Sequence, residues 1–315
     1  MKIAIDVGHG YVKVLNDAQR TMFPALIAPA PPLVELGEAA RRPMITQING
    51  EEFLIGDPAR PYAVPRWSRD KASDPETLNL MLVAAAAIGA MGPVDLAAGL
   101  PLSWFGSGRK AFADALLGLE AQIVLPDGTH THVWIETTKI LPQGVAAAST
   151  LLAQSSYDAG DYLVVDIGYR TSDYIVVTKT PTGSLSFHPD QAGSLELGTH
   201  AINAWVAEEL TKTWNLPFQP AEVEERANVH INGQRVNLDP LRQKALAHLQ
   251  GQLRDRLIEK LDQTWHKLAG KVLVGGGAIP YAAALPDAHI PDNPQWANAQ
   301  AYLMALTLSS GVASH

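Results

Sequence analysis

The stretch that decides the fold is residues 3–15, IAIDVGHGYVKVL. An apolar limb runs into Asp6, a Gly-His-Gly turn follows at Gly8, His9 and Gly10, and a second apolar limb begins at Tyr11 and carries Lys13. Side chains alternate across a strand, so Ile3, Ile5 and Val7 share one face of the first limb, and Val12 and Val14 one face of the second. The pattern predicts two strands around a glycine turn. GHGYVK lacks the G-x-x-x-x-G-K-[ST] spacing of a P-loop. It also lacks the third glycine and the helix start of a dinucleotide fingerprint. Alone, it reads as a plain hairpin turn.

A second copy changes that reading. LVVDIGYRTSDYIVV, residues 163–177, repeats the scheme of apolar limb, Asp, apolar residue, Gly, turn and apolar limb. Asp166 lies about half a chain beyond Asp6, which predicts two similar half-molecules. Two such hairpins facing one cleft would make a phosphate clamp. Turn amides would point at phosphate oxygens, as in anion-binding nests. Two carboxylates suit a hydrated Mg²⁺, which keeps several waters and takes few protein ligands.

With both hairpins in place, the chain resembles the actin-like ATPases, and within them the plasmid-partition filament proteins of the ParM/StbA type. Five stations carry the resemblance in order. They are IDVGHGYVK at Ile5–Lys13, ILPQGVAAA at Ile140–Ala148, VVDIGYRTSD at Val164–Asp173, VLVGGGA at Val272–Ala278 and NPQWANAQAYLMAL at Asn293–Leu306. They resemble the first phosphate loop, first connecting helix, second phosphate loop, adenosine loop and second connecting segment of that family.

The resemblance implies an α/β fold of the actin-like ATPase type: two similar lobes, each a duplicated sheet-plus-helices core, around a nucleotide cleft. Domain I would take residues 1–155 and the closing helix 298–315, with a small insert at about 20–75, and domain II residues 156–297. ATP or ADP with Mg²⁺ is the implied cofactor, GTP being the alternative. Asp6 and Asp166 would hold Mg²⁺ through water, and Lys13 would meet the phosphates. Backbone amides around Gly8, His9, Gly10 and Tyr11, and around Gly168, Tyr169 and Arg170, would contact phosphate. Gln143 would orient the attacking water. An amide can align water but is a poor base, which implies slow turnover. Gly275, Gly276, Gly277 and Ala278 would lie against adenosine, the glycines allowing close backbone approach. Tyr169 and Arg170 are bulky where relatives carry small residues, and His9 stands where a small residue is common. Arg170 would either touch phosphate or point to solvent.

Composition bounds these expectations. The chain has 315 residues, 47% hydrophobic and 18% charged, with a formal net charge of −8 and no cysteine. This describes a globular protein with a sizeable core. The acidic balance argues against sequence-blind DNA binding, which depends on Lys and Arg at phosphates, so a link to DNA would pass through an adaptor. Disulfides and Cys-ligated zinc are excluded. The N-terminus reads as a strand rather than a secretory signal, and LMLVAAAAIGAMG at Leu80–Gly92 is too short to span a membrane. A cytoplasmic location is expected.

Elsewhere, Ile45, Ile48 and Phe53–Ile55 predict short strands within the insert. A helix is expected over about Pro75–Met91, with Asp74 as its cap, and others over Arg109–Gly118, 143–154 and Gly198–Leu210. Val94–Leu102 reads as a strand leading to a loop, and AQIVLP and HVWIETTKIL as strands. Leucines at fourfold spacing predict a long helix over Pro240–Leu268 with Trp265 at its end, and a last helix spans Ala297–Ser309. Asp173 reads as a hydrogen-bonding residue of the second hairpin, and Glu196 as an acid at a helix start. Glu222, Glu224 and Glu225 read as a solvated acidic face, and His130 and His132 as exposed turn and strand residues without a third metal ligand. Arg66, Arg69 and Lys71 form a basic run, either a filament contact or a solvated loop.

The functional expectation is an ATPase that assembles head-to-tail into nucleotide-dependent filaments, which requires two different complementary surfaces per subunit. The implied cargo is a plasmid held through a DNA-binding adaptor. The alternatives are a small-molecule kinase and a non-polymerising ATPase of the same superfamily.

Overall fold

The computed structural model describes residues 1–32, 44–63 and 71–311. Arg66 and Arg69 lie outside the described residues. The chain divides into two compact units, Met1–Ala147 with Asn298–His315, and Ala148–Ala297.

The first unit contains β1 (Lys2–Val7), β2 (Tyr11–Leu15), β3 (Arg20–Pro24), β4 (Ile27–Pro29), β5 (Ile45–Ile48) and β6 (Glu51–Ile55). It continues through α1 (Pro75–Ala87), β7 (Gly92–Leu100), α2 (Leu102–Leu116), β8 (Glu120–Val124) and β9 (His130–Pro142). Helix α3 (Val145–Leu152) carries the chain into the second unit. There follow β10 (Gly160–Ile167), β11 (Ser172–Lys179), β12 (Leu185–Leu195), α4 (His200–Trp214), α5 (Pro220–Val223), β13 (Asn228–Ile231), β14 (Gln234–Asn237), α6 (Asp239–Leu261) and β15 (Gly270–Val274). The closing helix, α7 (Ala297–Gly311), returns to the first unit.

Among the described residues, the nine strands of the first unit form one sheet in the order β3-β2-β1-β7-β9-β8-β5-β6-β4, and the larger sheet of the second has the order β12-β11-β10-β15. The series β3-β2-β1-β7 and β12-β11-β10-β15 correspond strand for strand. In each, the first two pairings are antiparallel and the last is parallel. The duplication expected from two short hairpins therefore extends to a four-stranded core in each unit.

Burial explains the strand chemistry. β1 is covered on both faces, so Ile3, Ala4 and Ile5 are all fully buried, as befits an interior strand with a parallel neighbour. Helix α1 packs on β1 and β2. It begins with Pro75 at its first position, after an extended Asp74, and the Thr77 hydroxyl donates to the Asp74 carboxylate. In the second unit, α6 turns Leu249, Leu253, Leu257 and Leu261 into the core shared with Leu163, Val165 and Ile167 of β10.

Several expectations shift. Helix α2 begins at Leu102, directly after β7, not near Arg109. Its first turns hold Gly106 and Gly108, whose low helix propensity hides it in the sequence. Helix α6 stops at Leu261, because Asp262 takes a positive φ of 44°, and Trp265 lies in the 3₁₀ turn Asp262–Lys267. The hairpin β13–β14 turns on Asn232 and Gly233, both at positive φ, the signature of a two-residue hairpin loop.

Candidate functional site

In the first unit the turn after β1 places three predicted residues together. The antiparallel register of β1 and β2 sets Asp6 directly opposite Lys13, and directly opposite residues share one face of a sheet. Lys13 Nζ lies 3.1 Å from Asp6 Oδ2. Gln143, just after β9, donates from Nε2 to Asp6 Oδ1 at 2.9 Å. Its position is fixed by its own amide bonded to the Leu100 carbonyl, and by the Gly144 amide bonded to Asn298 Oδ1. Asp6 is 4% exposed. Burial pushes its carboxyl up, but the charges of Lys13 and Lys71 and the hydrogen bonds from Lys13 and Gln143 outweigh burial and hold it below its ordinary value. Asp6 is thus a carboxylate kept ionised in a buried setting, which needs such partners.

Lys71 is the residue that sequence reasoning missed. Expected in a solvated or filament-contacting run, it is buried, and its Nζ donates to the Val7 carbonyl at 2.7 Å.

The turn amides are not equivalent. The Gly8 N–H closes the hairpin onto the Tyr11 carbonyl at 3.0 Å, and the Gly10 carbonyl accepts from the Ala25 amide. His9 and Tyr11 are half-buried between them.

In the second unit the same device recurs with one substitution. Gly168 N–H closes the turn onto Thr171 O at 2.8 Å, and the register places Asp166 opposite Asp173. Where the first hairpin sets a lysine across from the carboxylate, the second sets another carboxylate. The start of α4 lies against this turn: the Thr199 amide bonds the Gly168 carbonyl and the His200 amide the Tyr169 carbonyl. A Cβ at Gly198 would come within 2.6 Å of the Tyr169 carbonyl oxygen, so this approach depends on glycine.

The bulky side chains of this turn are tied back. The Tyr169 hydroxyl is 3.0 Å from His200 Nδ1, and Arg170 Nε donates to Glu196 Oε2 at 3.0 Å. Glu196 is thus the partner of Arg170. Burial pushes the His200 imidazole down, against a smaller upward pull from Glu224.

The triple-glycine loop after β15 packs on the same hairpin. Gly277 N–H donates to the Ile167 carbonyl at 2.8 Å and Gly275 N–H to the Pro294 carbonyl at 2.9 Å. Gly275 has φ +87°, and a Cβ there would strike Asp166 Oδ1 and the Ile167 carbonyl oxygen. Gly276 is exposed, and a Cβ there would meet no atom within 4 Å. Ala278 is fully buried, so it belongs to the core, and Gly276 is the exposed residue of these four.

The predicted residues therefore fall into two clusters, Asp6, Lys13 and Gln143 with Lys71 in one unit, and Asp166, Gly168 and the Gly275–Ala278 loop in the other. Among the described residues no group of three or more His, Cys, Asp or Glu could hold a metal by itself. Few carboxylates on glycine turns fit an ion that takes most of its ligands from water and phosphate, as Mg²⁺ does. They do not fit a closed cage. His132 Nε2 lies 3.5 Å from Glu120 Oε2, and both side chains are well exposed.

The family model for the N-terminal domain of actin like proteins matches residues 4–145, and that for the C-terminal part of the archaeal actin homologue, MreB-like, matches residues 164–287. An archaeal actin homologue from Thermoplasma volcanium is 27% identical over 295 residues, covering 88% of this chain and 87% of the relative. A subunit of a 15-stranded ParM filament from Clostridium botulinum superimposes with a TM-score of 0.82 at 19% identity, over 98% of this chain and 99% of that one. An archaeal actin homologue solved in complex with ADP gives a TM-score of 0.78 at 23% identity, with the same coverage of both chains.

Proposed function

The chain belongs to the actin-like proteins, and from that premise we propose that it is a Mg²⁺-dependent ATPase which assembles head-to-tail into filaments. The observation that carries this reading is the repeated Asp-x-Gly hairpin, at the same place in two four-stranded cores of identical order, with Asp6 held ionised beside Lys13. The ADP held by one structural relative and the filament formed by another support it.

In this reading each hairpin is a phosphate-binding loop. Asp6 and Asp166 are the carboxylates that would hold a hydrated Mg²⁺, which would supply neutralisation of phosphate charge. Lys13 turns from Asp6 to the phosphates. The Gly8 and Gly168 amides keep their turns closed, so the following amides of each loop serve as phosphate donors. Gln143 keeps its nitrogen on Asp6 and offers Oε1 to the attacking water. Positioning and electrostatics of this kind are most of the catalysis in phosphoryl transfer. Because Gln143 aligns water without taking its proton, turnover is slow. The main chain of Gly275–Ala278 receives the adenosine, Gly276 presenting the open face. GTP is a competing substrate to be compared directly.

The net charge of −8 favours a cargo held through a basic DNA-binding adaptor over direct DNA contact. We assign plasmid segregation as the cellular role and the cytoplasm as its place. No helix among the described residues is long and apolar enough to cross a membrane.

The experiment is phosphate release and high-speed pelleting of the purified chain with Mg-ATP, Mg-GTP, Mg-ADP or no nucleotide. Release coupled to triphosphate-dependent pelleting supports the reading. Release stimulated by a small alcohol or acid without any pellet would move it to a kinase of the same fold.

A further inference from the structure

Lys71 stands just before α1, 64 residues along the chain from Val7, yet its ammonium is bonded to the Val7 carbonyl at 2.7 Å and it is 8% exposed. Lysine is almost never buried without a specific partner, and taking its charge out of water is costly unless it is hydrogen-bonded. Its anchor is not an arbitrary carbonyl. Val7 C=O and Gly8 N–H belong to one peptide unit, the first of the phosphate-loop turn. The N–H end of that unit is held by the Tyr11 carbonyl and the C=O end by Lys71. Both ends of the plane are therefore fixed, and the orientation of the following turn is fixed with them.

The two lysines near Asp6 differ in kind. Lys13 is bonded to the carboxylate itself, and its side chain is 14% exposed. Lys71 acts on Asp6 by charge and donates a hydrogen bond to the Val7 main chain. If Lys13 leaves Asp6 for a phosphate, Lys71 can stay where it is.

We propose that Lys71 is a positioning residue for nucleotide hydrolysis, clamping the Val7–Gly8 peptide and supplying a fixed positive charge behind Asp6 while Lys13 engages the polyphosphate. This rests on the reading of residues 5–13 as a phosphate loop. It links the end of the insert to that loop through one side chain. The effect falls on turnover more than on affinity, because the clamp sets the geometry of the reacting end and not the adenosine contacts. Misplacement of a reacting group on the ångström scale lowers rate by roughly ten- to a hundredfold.

The test compares wild type with Lys71→Arg, Lys71→Gln and Lys71→Met in the full chain, measuring kcat for Mg-ATP, Kd for Mg-ADP and melting temperature. Arginine keeps charge and donor, glutamine keeps only a donor, and methionine keeps only the packing. The expected kcat order is Arg above Gln above Met, with Met down about tenfold or more and Mg-ADP affinity changed by less than about threefold. Rescue by Arg but not Met identifies the hydrogen-bonding charge, since a packing role alone would favour Met. Wild-type kcat in Lys71→Met overturns the proposal, and so do equal losses in Arg and Met that track melting temperature. If Lys71→Met does not fold, Arg against Gln decides by the same order. A wild-type chain that neither binds nor hydrolyses ATP defeats the phosphate-loop reading itself, a result distinct from active wild type with indifferent variants.

Discussion

Replacing Gly275 by alanine separates the structural role of the triple-glycine loop from its proposed ligand role. Gly275 has φ +87°, and its absent Cβ would strike Asp166 Oδ1 and the Ile167 carbonyl oxygen. A left-handed backbone costs an alanine about 1–2 kcal/mol, and forcing a methyl into main-chain atoms adds about 1–3 kcal/mol. The sum is about 2–5 kcal/mol. For a unit of this size about 2–4 °C is lost per kcal/mol, so Gly275→Ala melts about 4–20 °C below wild type. Gly276→Ala is the matched control, because its Cβ meets nothing within 4 Å and its φ is ordinary. It should leave stability within about 0.5 kcal/mol but weaken ADP binding about tenfold, since its methyl occupies the open face of the loop. Scanning calorimetry with and without Mg-ADP reads both effects. If Gly275→Ala melts with wild type, or if Gly276→Ala loses as much stability as Gly275→Ala, the reasoning is wrong.

Three further outcomes are expected. Asp6→Asn removes the carboxylate that Lys13 and Gln143 hold at 3.1 and 2.9 Å; Mg-dependent hydrolysis should fall by about two orders of magnitude, read by single-turnover phosphate release. Gly99→Ala drives a methyl into the hydroxyl end of the buried Tyr302 ring, in the first unit. It should cost about 1–3 kcal/mol in urea unfolding, partly recovered by Tyr302→Phe, which removes the hydroxyl that the methyl strikes first. His200 carries a lowered pKa because of burial, so the unfolded chain binds a proton more readily than the folded one. Its contribution to stability is complete above the unfolded value of about 6.5 and is lost as pH falls from there through the lower folded value. Unfolding at pH 7 and pH 5 should show a smaller acid loss in His200→Gln than in wild type.

What the sequence makes legible here is local periodicity and its repetition. The hairpins at Asp6 and Asp166 declare themselves because alternation brackets each Asp-x-Gly turn, and pairing them exposes the duplication that the strand orders then extend. The leucines of α6 are legible for the same reason, although the helix end is not: DQTW contains no Gly or Pro, and the break is set by Asp262 at positive φ. Strand β12 escapes notice because FHPDQAGS reads as a loop, and its eleven residues are held by pairing with β11. The hairpin β13–β14 carries its signal in Asn232–Gly233, a two-residue turn between short strands. Lys71 could not have been found from its neighbours. A lysine in a Pro- and Arg-rich stretch ordinarily faces water, and its place on the Val7 carbonyl is set by a tertiary contact. The side chains of Tyr169 and Arg170 likewise depend on partners distant in the chain, His200 at the start of α4 and Glu196 just after β12.

Nucleotide bound at the Asp-x-Gly loops is proposed to drive this chain into filaments. Electron microscopy of the purified protein at micromolar concentration, with Mg-ATP, with Mg-ADP and with neither, tests it most directly. The account predicts filaments of repeating single subunits with Mg-ATP that shorten or vanish as ATP is consumed, and none without nucleotide. Discrete particles in Mg-ATP, from protein that binds and hydrolyses it, would contradict the claim and leave a nucleotide-hydrolysing protein that does not polymerise.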